Sequence, residues 1–130
     1  MGRGECGVGA VFLAFLLVTG SPGSAAPTTH VVGDSLGWGL SMSYSDWTND
    51  KTFFAGDTLV FNYPTGMHDV VPVSMEGYRS CRPVGAGGRR SRVVGTTGSD
   101  KFALRKGDNY FICSIPGHCS AGMKIHVNAN

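Results

Sequence analysis

An all-β fold, a sandwich or barrel of short strands, is predicted on three observations. Runs of β-branched and aromatic residues recur with turn residues between them. Helical periodicity is almost absent. The last run, Met123-Lys124-Ile125-His126-Val127-Asn128, alternates cleanly. Met123, Ile125 and Val127 take one face and Lys124, His126 and Asn128 the other, the period of a half-buried strand.

The elements follow in order. Thr28 to Gly33 reads as an opening strand ending in a Gly33-Asp34 turn, and Gly37-Trp38-Gly39 continues the loop. Tyr44 to Asp50 is expected to make a short helical turn capped by Ser43 or Ser45. Ala55-Gly56-Asp57 turns into a strand from Thr58 to Tyr63, and Pro64-Thr65-Gly66 turns the chain again. Met67 to Ser74 is a further strand, which Pro72 confines to an edge or a bulge because proline cannot donate to the ladder. Glu76 to Cys81 reads as a short helix or turn. Arg82 to Gly98, rich in Gly and Arg, is expected to be mobile, with a brief strand at Val93-Val94. Lys101 to Leu104 is a strand, and Lys106-Gly107-Asp108 turns into another from Asn109 to Cys113. Trp38, Trp47 and the Phe and Tyr residues supply core area.

Residues 1–26 stand apart from this pattern. A short start carrying Arg3 and Glu5 leads into the apolar run Ala10 to Val18, and small residues follow from Gly20 to Ala26. That order is a secretory signal peptide. The run is shorter than the roughly 20 apolar residues of a spanning helix. Cleavage is expected after Ala25 or Ala26, with Pro27 disfavouring the second bond. One domain, residues 27–130, remains. The C-terminus carries no lipid-anchor signal, and the chain has no Asn-x-Ser/Thr sequon. A secreted, extracellular product without a membrane anchor is expected.

Net charge is +2. Arg79, Arg82, Arg89, Arg90 and Arg92 cluster, as a solvated loop or as a surface with weak attraction to acidic cell-wall polysaccharide or a membrane. No aromatic residues interleave with them, which argues against nucleic acid.

Cysteine counting discriminates further. Once Cys6 leaves with the signal peptide, Cys81, Cys113 and Cys119 remain. An odd count in a secreted chain flags one unpaired thiol. An inert buried thiol or an intermolecular bridge would account for it, and so would a metal. Cys113, His118 and Met123 are evenly spaced across Cys113-Ser114-Ile115-Pro116-Gly117-His118-Cys119-Ser120-Ala121-Gly122-Met123. Two histidines, a cysteine and a weak axial methionine make the blue-copper pattern. Of the other histidines, His126 faces outward and His30 has no ligand-type neighbour. His68, after Pro64-Thr65-Gly66, is the natural fourth ligand. A zinc site from Cys113, His118, Cys119 and His68 is the competing reading, which leaves Met123 and Cys81 unexplained.

These residues resemble the phytocyanins, the plant blue-copper branch of the cupredoxins, and within them the plantacyanin branch. The resemblance rests on Val32-Gly33-Asp34 with Trp38, Gly56 to Phe61, His68-Asp69-Val70, Cys81, and Tyr110 through Met123. It implies a cupredoxin-like Greek-key β-sandwich of about seven to eight strands with short helical turns. It implies one copper ion held by His68, Cys113, His118 and Met123. The favoured disulfide, Cys81 to Cys119 around separate ligands, is a specific part of the signature. The Arg82 to Gly98 stretch departs from the family pattern. Asp69 is expected to accept a hydrogen bond from Ser114, to pin the two ligand loops together, and to favour Cu(II).

The function implied is single-electron transfer to an unnamed redox partner, small molecule or protein, by an extracellular monomer of the apoplast or cell wall. With all four positions filled, no open site is left for an oxidase substrate, so no enzyme is expected. The alternative is an extracellular signalling or adhesion protein in plant reproduction or cell-wall processes, its copper structural.

Overall fold

A computed structural model describes residues 26–130. The expected leader at 1–26 lies, Ala26 apart, outside the described residues. Six strands form two three-stranded sheets: β1 (Thr29–Val31), β2 (Thr58–Asn62) and β4 (Ser99–Ala103) in one, β3 (Val71–Val73), β5 (Gly107–Ile112) and β6 (Lys124–Ala129) in the other. β1 runs parallel to β2, and the remaining pairs are antiparallel. The chain changes sheet between β2 and β3, β3 and β4, and β4 and β5, the crossing pattern of a Greek-key sandwich.

Sequence explains which strand lies where. β2 is the middle strand of its sheet, and Leu59, Val60 and Phe61 are all buried. β6 is an edge strand with one face on the core: Ile125, Val127 and Ala129 are buried while His126 and Asn128 are exposed. β3 is the other edge, and its Pro72 sits where no ladder donor is needed on the open side. Trp38, Tyr44, Phe61, Phe111 and Ile125 fill the space between the sheets. A second, smaller core of Val71, Ile112 and Cys119 lies apart from it, with Tyr78 and Cys81 packed on it.

Two short helices close the frame. α1 (Tyr44–Thr48) starts at Ser43, whose hydroxyl accepts from the Asp46 N–H, and it buries Tyr44 and Trp47. α2 (Met75–Ser80) starts at Ser74, whose hydroxyl accepts from the Gly77 N–H. Cys81 ends it in the left-handed conformation at φ 56°.

Beyond shifts of one or two residues at the ends of β1, β2, β4, β5 and β6, the strands differ from expectation in three respects. β3 begins at Val71 because Pro64 to Met67 closes a turn, the Met67 N–H donating to the Pro64 carbonyl at 3.1 Å. Val93 and Val94 are exposed and in no strand; the pairing beside them is the single bridge Val70 to Gly95. The six strands fall below seven to eight because Phe53–Ala129, Val70–Gly95 and Val84–Arg90 each pair for one residue only.

A buried carboxylate ties the segments that lead into β1 and β2. Asp57, 2% exposed, accepts from the Thr28 N–H at 2.9 Å, the Phe54 N–H at 3.0 Å and His30 Nε2 at 3.0 Å. The partner of His30 is therefore Asp57, and its ring packs on Phe53 at 4.6 Å. Burial alone would raise the Asp57 pKa, but the bonds from Thr28, His30 and Phe54 outweigh it and hold it below the ordinary 3.8. Asp57→Ala leaves two buried N–H groups unpartnered and is expected to cost about 3 kcal/mol in urea unfolding at neutral pH. Because the folded pKa lies below the unfolded one, the stabilisation is present above about pH 3.8 and is lost as pH falls through the folded value. The urea midpoint of the variant should therefore fall less steeply with acid than that of the wild type.

Candidate metal centre

Three of the proposed ligands meet at one point. His68 Nδ1 and His118 Nδ1 are 3.1 Å apart, and Cys113 Sγ is 3.6 Å from His118 Nδ1 and 4.0 Å from His68 Nδ1. An ion with nitrogen ligands near 2.0 Å and a sulfur near 2.3 Å needs donor separations of about 3.5 and 3.7 Å in a trigonal plane. The observed triangle fits such an ion. It is also the grouping of His, Cys and acidic side chains close enough to share one among the described residues.

Local backbone structure explains the convergence. Cys113 follows the last residue of β5, and its N–H donates to the Met123 carbonyl at 3.1 Å. The Met123 N–H in turn donates to the His118 carbonyl at 3.0 Å, and the His118 N–H to the Ile115 carbonyl at 3.0 Å. The ligand loop is thus stapled to itself at each proposed ligand. Met123 is fully buried in the core cluster that contains Cys113. Exposed Pro116 and Gly117 precede His118, which is only partly buried.

His68 arrives from the other sheet crossing. Its neighbour Asp69 reaches over the gap: Oδ1 accepts from the Ser114 N–H at 2.6 Å and Oδ2 from the Ser114 hydroxyl at 2.5 Å. On the far side the Trp38 indole donates to the Asp69 carbonyl at 2.9 Å. Tyr63 packs its ring against His68 at 6.1 Å, and a Cβ on Gly39 would lie 3.9 Å from His68 Nε2. Sequence reasoning placed Trp38 in the core for its area and missed its polar role. The Gly37-Trp38-Gly39 context signalled a loop but not the carbonyl that its indole would meet.

Electrostatics favour a cation here. Burial pushes the Cys113 thiol up, against partial opposition from the Asp69 and Ile115 N–H groups. Burial, with His118 alongside, pushes His68 down, against the opposing pull of Asp69. Both groups therefore prefer their neutral forms, and a thiolate in this spot is favourable only with positive charge beside it.

The other cysteines are accounted for. Cys81 and Cys119 form a disulfide, S–S 2.08 Å, across a sequence separation of 38. Cys113 is free and buried. The zinc reading that used Cys119 fails, because a sulfur in a disulfide offers no thiolate. His126 pairs with Asp108 at 2.9 Å on the surface, and His30 with Asp57, so neither joins the cluster.

Known proteins resemble this chain over most of its described length. A plastocyanin-like domain matches residues 38–123. Basic blue protein of Cucumis sativus is 48% identical over 101 residues, covering 77% of this chain and 97% of that protein. Chemocyanin of Lilium longiflorum is 44% identical over 123 residues, covering 95% and 88%. The solved structure of cucumber basic protein, a blue copper protein, superposes with a TM-score of 0.69 at 46% identity, covering 79% of this chain and all of that one.

Removing the carboxylate that joins the two ligand segments tests its part in the site. Asp69→Ala is expected to lower metal affinity at least tenfold in a chelator competition titration, within the usual range for residues that orient ligands. Unchanged affinity would show that the two segments hold their places without it.

Proposed function

The chain belongs to the plastocyanin-like domain family of blue copper proteins, and on that premise we propose that it is a secreted type 1 copper protein carrying single electrons. The observation that carries the reading is the triangle of one thiol and two imidazoles, closed by side chains that are rigidly held. Copper, when bound there, supplies a Cu(II)/Cu(I) couple that exchanges one electron. Cys113 would bind as the thiolate, His68 and His118 through Nδ1, and Met123 would offer its thioether as the weak fourth ligand.

The chain's own contribution is rigidity and access. Backbone bonds among Cys113, His118 and Met123 hold their spacing whatever the charge at the centre. That limits rearrangement when an electron arrives or leaves. The Asp69 carboxylate adds negative charge near the thiolate, which favours the more positive copper state. The partly buried rings of His68 and His118 leave edges toward solvent, so a redox partner, small molecule or protein, can approach either. No open ligand position is assigned to a substrate, in keeping with an electron carrier and not an oxidase.

Secretion is supported by the leader-like pattern of residues 1–26 and by the disulfide, which persists in oxidising compartments. No helix among the described residues is long and apolar enough to cross a membrane.

Copper-loaded protein should be intensely blue, bleach on uptake of one electron, and show the narrow copper hyperfine splitting of a thiolate site. Cys113→Ser should be colourless with copper, and Met123→Gln should shift the reduction potential downward in voltammetry. A colourless copper complex of the wild type would overturn the reading.

A further inference from the structure

The small net charge hides a strong asymmetry. Residues 77–98 carry Arg79, Arg82, Arg89, Arg90 and Arg92 and no acidic residue. The chain has 11 Lys and Arg against 9 Asp and Glu, so outside this stretch six cations face nine acids, a balance of −3. All five arginines are exposed, and none forms an ion pair among the described residues.

The expected mobile loop is in fact a held hairpin. Val84 bridges Arg90, the Gly85 N–H donates to the Arg89 carbonyl at 2.7 Å, and the Ser91 N–H to the Pro83 carbonyl at 2.9 Å. Its base is seated on α2. The Ser74 N–H donates to the Val84 carbonyl at 3.0 Å, and a Cβ on Gly77 would fall 2.6 Å from that oxygen, so a glycine is required for the approach. Arginines on such a frame give up less freedom on binding than arginines on a loose loop.

Beside the hairpin runs a groove. Two depressions of about 200 and 250 Å³ share Pro72, Val73, Arg105, Asp108 and Tyr110, and the second reaches the hairpin at Gly85. Arg105 forms no ion pair among the described residues, and Asp108 Oδ1 is taken by His126 and Asn128.

We propose that the hairpin and this groove bind a linear, carboxylate-bearing polysaccharide, a polyuronate. Guanidinium forks match carboxylates in two-point geometry. Sugar rings, apolar on their C–H faces, suit a shallow floor made by Tyr110, Pro72 and Val73. Asp108 Oδ2 is free to accept from a hydroxyl. A nucleic acid would want aromatic faces interleaved with the arginines, and from Arg79 to Arg92 the sequence has none. A lipid surface would want an amphipathic helix, whereas only Val93 and Val94 stand exposed beside Arg92.

The test measures binding to three probes: polygalacturonate, the same polymer fully methyl-esterified, and phosphatidylserine vesicles. Wild type should bind polygalacturonate and lose at least tenfold on esterification. The triple variant Arg89→Gln, Arg90→Gln, Arg92→Gln should bind it about tenfold more weakly, from three exposed ion pairs of ordinary strength. Arg105→Gln should lose severalfold, and no loss would remove the groove from the proposal. Equal binding of both polymers, an unaffected triple variant, or binding to vesicles alone would overturn it. Near-ultraviolet circular dichroism confirms that the variants fold. Copper is not read in this assay, so its result and that of the electron-carrier reading stand separately.

Discussion

The carboxylate of Asp69 grips Ser114 at both its backbone N–H and its hydroxyl, and that grip joins the two segments that carry His68 and Cys113. His68 and Cys113 sit on segments 45 residues apart, each next to one partner of this contact. Hydrogen bonds to an ionised acceptor contribute roughly 1.5–3 kcal/mol each, more than neutral ones. Trp38 holds the same residue from behind through the Asp69 carbonyl. The side chains that would touch a metal are thereby placed by groups that do not touch it, which keeps their positions independent of what the metal is doing.

The sandwich supplies a stiff background for that clamp. β3 and β5 pair antiparallel, with Val71 opposite Ile112, and so bring the segment before Val71 and the segment after Ile112 to the same end. The disulfide then fixes the loop beyond His118 to the end of α2. By the chain-entropy account, a closed loop of that length stabilises the fold by about 4 kcal/mol, less any strain. It also covers the small apolar core of Val71, Ile112 and Cys119. One covalent bond therefore serves both packing and the ligand loop.

Much of this was legible in the chain. Cys113, His118 and Met123 stand out by spacing, and the structure brings Cys113 Sγ and His118 Nδ1 to 3.6 Å. His68 could be chosen among four histidines by the turn before it and by the strand face of His126. Asp69 next to a ligand pointed to Ser114. The buried role of Asp57 was not legible, because its donors Thr28 and Phe54 are backbone groups whose positions follow only from tertiary pairing. Val93-Val94 has strand propensity but meets no partner strand, a case of tertiary context overriding local preference. The hairpin at 83–91 was read as loose from its glycines. Gly87 and Gly88, both at φ 76°, in fact permit its turn, and Gly77 on α2 permits its seat there.

The free state of Cys113 has a consequence for how the chain reaches its final form. Three thiols in one domain admit three intramolecular pairings, and two of them would use up Cys113. Only a chain whose sheets have already assembled buries that sulfur and leaves Cys81 and Cys119 facing each other at 5.6 Å between their Cα atoms. The native fold therefore selects the one pairing that spares Cys113, and a chain oxidised in either other way must exchange its disulfide before the site can form.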